Sequence, residues 1–144
     1  MKLIRKLTLP AIAALAVYTN SSLAHDITSN FSNPGRFATD YWLITCEAGT
    51  NHLFFRVKDF TPNTSRVSAM VVKGTRVVFT TDLVDSDALL STRRLFAQGS
   101  GGYHLFVFKS NGNGLGNDEY LVQAHCENAV GDHMETEYTL RQDQ

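Results

Sequence analysis

The residues of this chain best suited to chemistry are histidines, and the chemistry they suit is metal binding. If a leader is cut after Ala24, the chain begins with His25. An N-terminal histidine offers its α-amino nitrogen and a ring nitrogen to one ion, a pairing that favours Cu(II). His104 and His125 stand in strand-like segments. A hairpin that sets Tyr103 opposite Ala124 would place His104 diagonal to His125 on one outer face, about 7–8 Å apart at Cα. His133, after Gly131-Asp132, is a further candidate. The competing reading is that these are surface histidines on solvated strand faces.

Asp82, Asp85 and Asp87 offer carboxylate oxygens of the kind that bind Ca²⁺. Their spacing does not match the calcium loop of the helix–loop–helix type, no glycine lies within it, and a solvated turn connecting two strands is the favoured reading. The Asn- and Gly-rich stretch 111–118 reads as a long turn for the same reason. Gly99-Ser100-Gly101-Gly102 has the glycine-flanked serine of a serine protease without the preceding aspartate. No nucleophile elbow, phosphate loop, dinucleotide fingerprint or Cys-x-x-Cys pair is present.

The elements that must position these groups are short. Residues 41–46, 52–58, 66–73, 75–80, 92–97, 103–108, 120–126 and 134–140 alternate apolar and polar residues or are rich in β-branched ones, with Gly, Asn, Pro and Asp between them. Residues 82–91 are undecided, with a helical turn open at Ala88-Leu89-Leu90. About eight strands and no long helix predict an all-β chain, a single antiparallel sandwich of the jelly-roll or immunoglobulin-like kind.

The first 24 residues read as a leader. Lys2, Arg5 and Lys6 precede an apolar run from Leu7 to Val17, and Ser22-Leu23-Ala24 closes it with small residues where a signal peptidase cuts. The run is too short to span a bilayer as a helix, and no cysteine follows the cut as a lipid anchor would need. Residues 25–39 then read as an N-terminal arm, or a loose first strand, and 40–144 as the sandwich. The leader holds three of the 13 Lys and Arg and none of the 14 Asp and Glu, so the remainder carries a net charge of −4. A mildly acidic chain without a basic cluster speaks against nucleic acid and against an anionic membrane surface as partners. The two cysteines, Cys46 and Cys126, are expected to pair, because export delivers them to an oxidising compartment, periplasmic or extracellular.

Gly101-Gly102-Tyr103-His104-Leu105-Phe106-Val107, a glycine-rich loop, and Tyr120-Leu121-Val122-Gln123-Ala124 together resemble the closing hairpin of the bacterial pre-peptidase C-terminal domain (PPC), a secreted jelly-roll-like sandwich. Asp40-Tyr41-Trp42-Leu43 is similar to that domain's first strand, and the acidic stretch 82–87 to its mid-domain loop. The resemblance implies an accessory or binding module and carries over no catalytic residue. A histidine brace at His25 would in turn resemble that of copper monooxygenases, whose other sequence features are missing here.

The aromatic residues allow two arrangements. With Phe55, Tyr103 and either Trp42 or Tyr41 in the core, Phe54, Phe106 and Phe108 point the other way. The expected cover for them is the arm, through Ile27, Phe31 and Phe37, and the alternative is an exposed patch for a partner. Taken together, the sequence reads as an exported, non-enzymatic sandwich module that binds an unknown protein or small ligand. The alternatives are a periplasmic copper-binding protein using His25 and a small copper-dependent oxidative enzyme.

Overall fold

Alternation of apolar and polar side chains along short segments produces ten strands in the computed structural model, which describes residues 26–32, 37–110 and 118–144. In chain order these are β1 (Asp26–Asn30), β2 (Thr39–Cys46), β3 (His52–Asp59), β4 (Arg66–Lys73), β5 (Arg76–Thr81), β6 (Arg94–Phe96), β7 (Gly101–Ser110), β8 (Glu119–Glu127), β9 (His133–Met134) and β10 (Thr136–Gln142). All pairings are antiparallel. One sheet runs β1-β8-β3-β6 with β9 also beside β8, and the other runs β10-β2-β7-β4-β5. The fold is the expected all-β sandwich, with ten strands in place of eight. The added strands are short: β1 comes from the segment read as an arm, and the last predicted strand divides into β9 and β10, which lie in different sheets.

Leu53, Phe55 and Val57 of β3 and Tyr120, Val122 and Ala124 of β8 fill one inner face, and Val67, Ala69 and Val71 of β4 and Tyr103, Leu105 and Val107 of β7 fill the other, all fully buried. Burial of each such side chain stabilises the fold by roughly 1.5–3 kcal/mol. Trp42 lies at the margin of this core and donates its indole N–H to the Tyr120 hydroxyl at 3.2 Å. That hydroxyl donates to Asp40 Oδ2 at 2.6 Å, so Trp42, Tyr120 and Asp40 satisfy one another.

Cys46 ends β2 and Cys126 lies on β8, and their disulfide ties the two sheets across a Cα–Cα distance of 5.7 Å. The 80-residue separation is worth about 4–5 kcal/mol in a chain-entropy account.

Two local expectations are corrected. β7 and β8 do not form a hairpin: Tyr103 stands opposite Ile44 of β2, and Ala124 opposite Phe55 of β3. Both strands turn their apolar residues inward, and that pattern is met as well by facing across the core as by pairing side by side. The sharp entry to β7 is made at Gly99 and Gly101, whose φ angles are +68° and +97°. The arm does not cover the outer aromatics either. Ile27 and Phe31 enter the core between the sheets, and Phe37 is exposed. Residues 82–91 contain no helix.

Candidate metal site on the β8 face

Strand register alone assembles a polar cluster on the outer face of the first sheet. Glu127 of β8 stands opposite His52 of β3 on one side and His133 of β9 on the other, while His125, two residues earlier, stands opposite Phe54. Because side chains alternate along a strand, His125 and Glu127 share a face, and His52, His133 and Phe54 surround them.

Glu127 is the hub. Its Oε2 is 2.6 Å from His52 Nε2 and its Oε1 is 2.9 Å from His125 Nε2. Arg93 donates from Nη2 to both oxygens, at 3.1 and 3.3 Å. Burial works against the charge of this carboxylate, but the bonds from His52 and His125 and the guanidinium of Arg93 outweigh it, and its pKa falls below the usual glutamate range.

Flat groups stack beneath the hub. The Arg93 guanidinium lies 4.7 Å from the Phe54 centroid. Phe54 and His125 lie 4.2 Å apart, and His125 and His133 lie 4.0 Å apart, both as stacked rings. This is how Phe54, an outward apolar residue, is kept 5 % exposed. An open depression of about 270 Å³ is lined by Phe54, Arg56, Arg93, His125, Glu127 and His133.

The imidazole of His125 carries the chemical interest. Its Nε2 faces the Glu127 carboxylate, which makes Nε2 the N–H and leaves the lone pair on Nδ1. Nδ1 is buried and has no hydrogen-bond partner among the described residues. Burial, and then the neighbouring His133, hold the His125 pKa below the usual histidine range, so the ring is neutral near pH 7. A neutral imidazole whose other nitrogen is held by a carboxylate is the arrangement of a metal-ligating histidine. One ligand atom from each of His125, Glu127 and His133 falls within 4.8 Å of the other two. The two imidazoles are donors suited to Zn(II) or Cu(II), with Glu127 orienting His125 from its other ring nitrogen and solvent supplying further positions.

The sequence-derived candidates separate. His125 and His133 come together. His104 lies on the other sheet, between Leu43 of β2 and Val72 of β4, with Nδ1 2.7 Å from the Tyr41 hydroxyl. Its expected convergence with His125 depended on the β7–β8 hairpin and fails with it. His25, and with it the leader and its cleavage site, lies outside the described residues. Asp87 accepts the Leu89 N–H at 2.7 Å and Asp82 accepts the Asp59 N–H at 2.8 Å, so both serve the turn. Glu127, His52 and Arg93 were not singled out from sequence. The His125-Cys126-Glu127 spacing carried a usable signal, since period two puts both ligand types on one face. His52 and Arg93 needed the β3–β8 register.

No family model, no curated protein and no solved structure matches this chain.

Proposed function

We propose that this chain is an exported, non-enzymatic β-sandwich module that holds a divalent transition metal at His125 and His133, with Glu127 holding His125 in the ligating orientation. The observation that carries the reading is the buried, partnerless Nδ1 of His125, beside His133 and oriented by Glu127 through Nε2. Export is supported by the leader-like first 24 residues and by a disulfide, a bond that persists in oxidising compartments. The missing catalytic motifs support a binding or accessory role.

Cu(II) is the ion of choice, because affinity for nitrogen and oxygen donors peaks at copper among the divalent first-row metals. Cleavage after Ala24 would add an α-amino group and the His25 ring. Asp26, the next residue, stands opposite Gln123 on the edge of β8 that also carries β9 and His133. The processed amino terminus is therefore proposed as a further donor.

Native mass spectrometry of the protein recovered after export, with Cu(II) supplied, tests the reading. The expected species starts at His25, has lost two hydrogens to the disulfide and carries one copper. A metal-free species at micromolar Cu(II), with the disulfide formed, would overturn the metal reading.

A further inference from the structure

At the opposite end of β8 from the histidines, the chain gathers carboxylates. Asp59 ends β3, Asp82 follows β5, Asp118 precedes β8, and Asp85 lies in the loop after Asp82. Asp59, Asp82 and Asp118 are 0 %, 4 % and 1 % exposed. Each of the four carboxylates has at least one donor. Asp118 takes Lys109 Nζ at 2.9 Å and Asn63 Nδ2 at 2.7 Å. Asp82 takes the Asp59 N–H, and Asp85 takes the Asn63 N–H.

Asp59 is left incomplete. Its Oδ1 accepts the Thr61 N–H at 2.9 Å, while its Oδ2 is buried and meets no donor among the described residues. Ser65 Oγ, at the far end of the same turn, is also buried and without a partner. A buried acceptor with no donor costs about 1–3 kcal/mol, and more when it is charged. Two such oxygens on one turn lie in the field of Asp82, Asp85 and Asp118, beyond what Lys109 at Asp118 and Arg66 near Asp85 neutralise, and they are the place for a further cation. The donors are all oxygen, so the cation is a hard one. The oxygens are spread over a turn and two loops, which suits the flexible, high-coordination shell of Ca²⁺ better than the strict octahedron of Mg²⁺.

We propose that the β3–β4 turn is a calcium site, with Asp59 Oδ2 and Ser65 Oγ as its buried ligands and Asp85 closing it from the solvent side. Asp82 fixes the Asp59 backbone, and the Lys109–Asp118 pair walls the site without occupying it. The site is separate from the histidine cluster by the length of β8, about 25 Å. It drops Asp87, which only caps the turn at Leu89.

The test is thermal unfolding and calorimetric titration of the processed, chelator-treated protein with CaCl₂. One equivalent is expected to bind with Kd at or below about 1 mM, the range of extracellular modules, and to raise Tm in proportion. Asp59→Asn keeps the Thr61 bond and the shape of the side chain. It is expected to raise the calcium-free Tm and to weaken calcium binding at least tenfold. Ser65→Ala is expected to weaken binding to a lesser degree, and His133→Ala to leave it unchanged. The proposal is overturned if millimolar calcium neither binds stoichiometrically nor shifts Tm, or if Asp59→Asn responds to calcium like the unaltered protein. Should Asp59→Asn fail to fold, an unchanged calcium affinity in Ser65→Ala decides against it.

Discussion

Glu127 Oε1 and His125 Nε2, two residues apart on β8, are 2.9 Å from one another, and this contact decides which nitrogen of the imidazole remains available. A carboxylate is a poor hydrogen-bond donor and a strong acceptor, so it claims the N–H and turns the lone pair to the buried Nδ1. The same carboxylate gathers His52 and Arg93, which together fasten β3, β8 and the segment before β6.

Glu127→Gln removes the acceptor charge that all three donors share. We expect a loss of about 1–3 kcal/mol in urea denaturation, since hydrogen bonds to a charged acceptor are replaced by weaker ones. We expect metal affinity to fall 10–100-fold, as it does when a residue orienting a ligand is changed. Equal stability and equal affinity in the variant would show that Glu127 does neither.

Phe54→Ala withdraws the ring between Arg93 and His125. Loss of a nearly buried phenylalanine is expected to cost about 3–5 kcal/mol in the same assay. A cost below about 1 kcal/mol would mean that the stack is incidental packing.

How much of this was legible beforehand follows from which features depend on one strand and which depend on two. The inward set Leu53, Phe55, Val57 is written in the alternation of β3 itself, and the structure buries all three. The Cys46–Cys126 bond was expected from export chemistry, and it joins strands of different sheets. The β7–β8 hairpin was misread because Tyr103, Leu105 and Val107 can meet Tyr120, Val122 and Ala124 either by pairing or by facing across the core, and alternation does not distinguish the two. His104 was misplaced for that reason alone. His133 was seen as a candidate without a position, because only the two-residue pairing of β9 with β8 brings it to His125.

The disulfide closes a long loop between sheets, and Cys46→Ser with Cys126→Ser is expected to lower stability by about 2–5 kcal/mol. The measurement is a pair of denaturation curves under oxidising and reducing conditions. Reductant is expected to move the unaltered protein to the stability of the double variant, and an unmoved curve would contradict this.

Asp59 sets a pH dependence. Burial first, and then the charges of Asp85, Asp118 and Asp82, raise its carboxyl from 3.8 to about 7. Below the unfolded value both states hold the proton and the group contributes no difference. Between about 4 and 7 the folded state keeps a proton that the unfolded state has released, so stability falls as pH rises through that window. Above it the full penalty of a buried charge is present. Without calcium, the Tm of the unaltered protein minus that of Asp59→Asn is expected to decline from pH 4 to pH 8. A flat difference would remove Asp59 from the account.

The most direct test of the metal reading is titration of the processed protein with Cu(II), followed by calorimetry and by electron paramagnetic resonance, beside His125→Ala and His133→Ala. The account expects one equivalent bound, nitrogen hyperfine coupling in the spectrum, and at least a tenfold loss of affinity in each variant while His104→Ala binds like the parent. Copper affinity and spectrum unchanged in both His125→Ala and His133→Ala would contradict it.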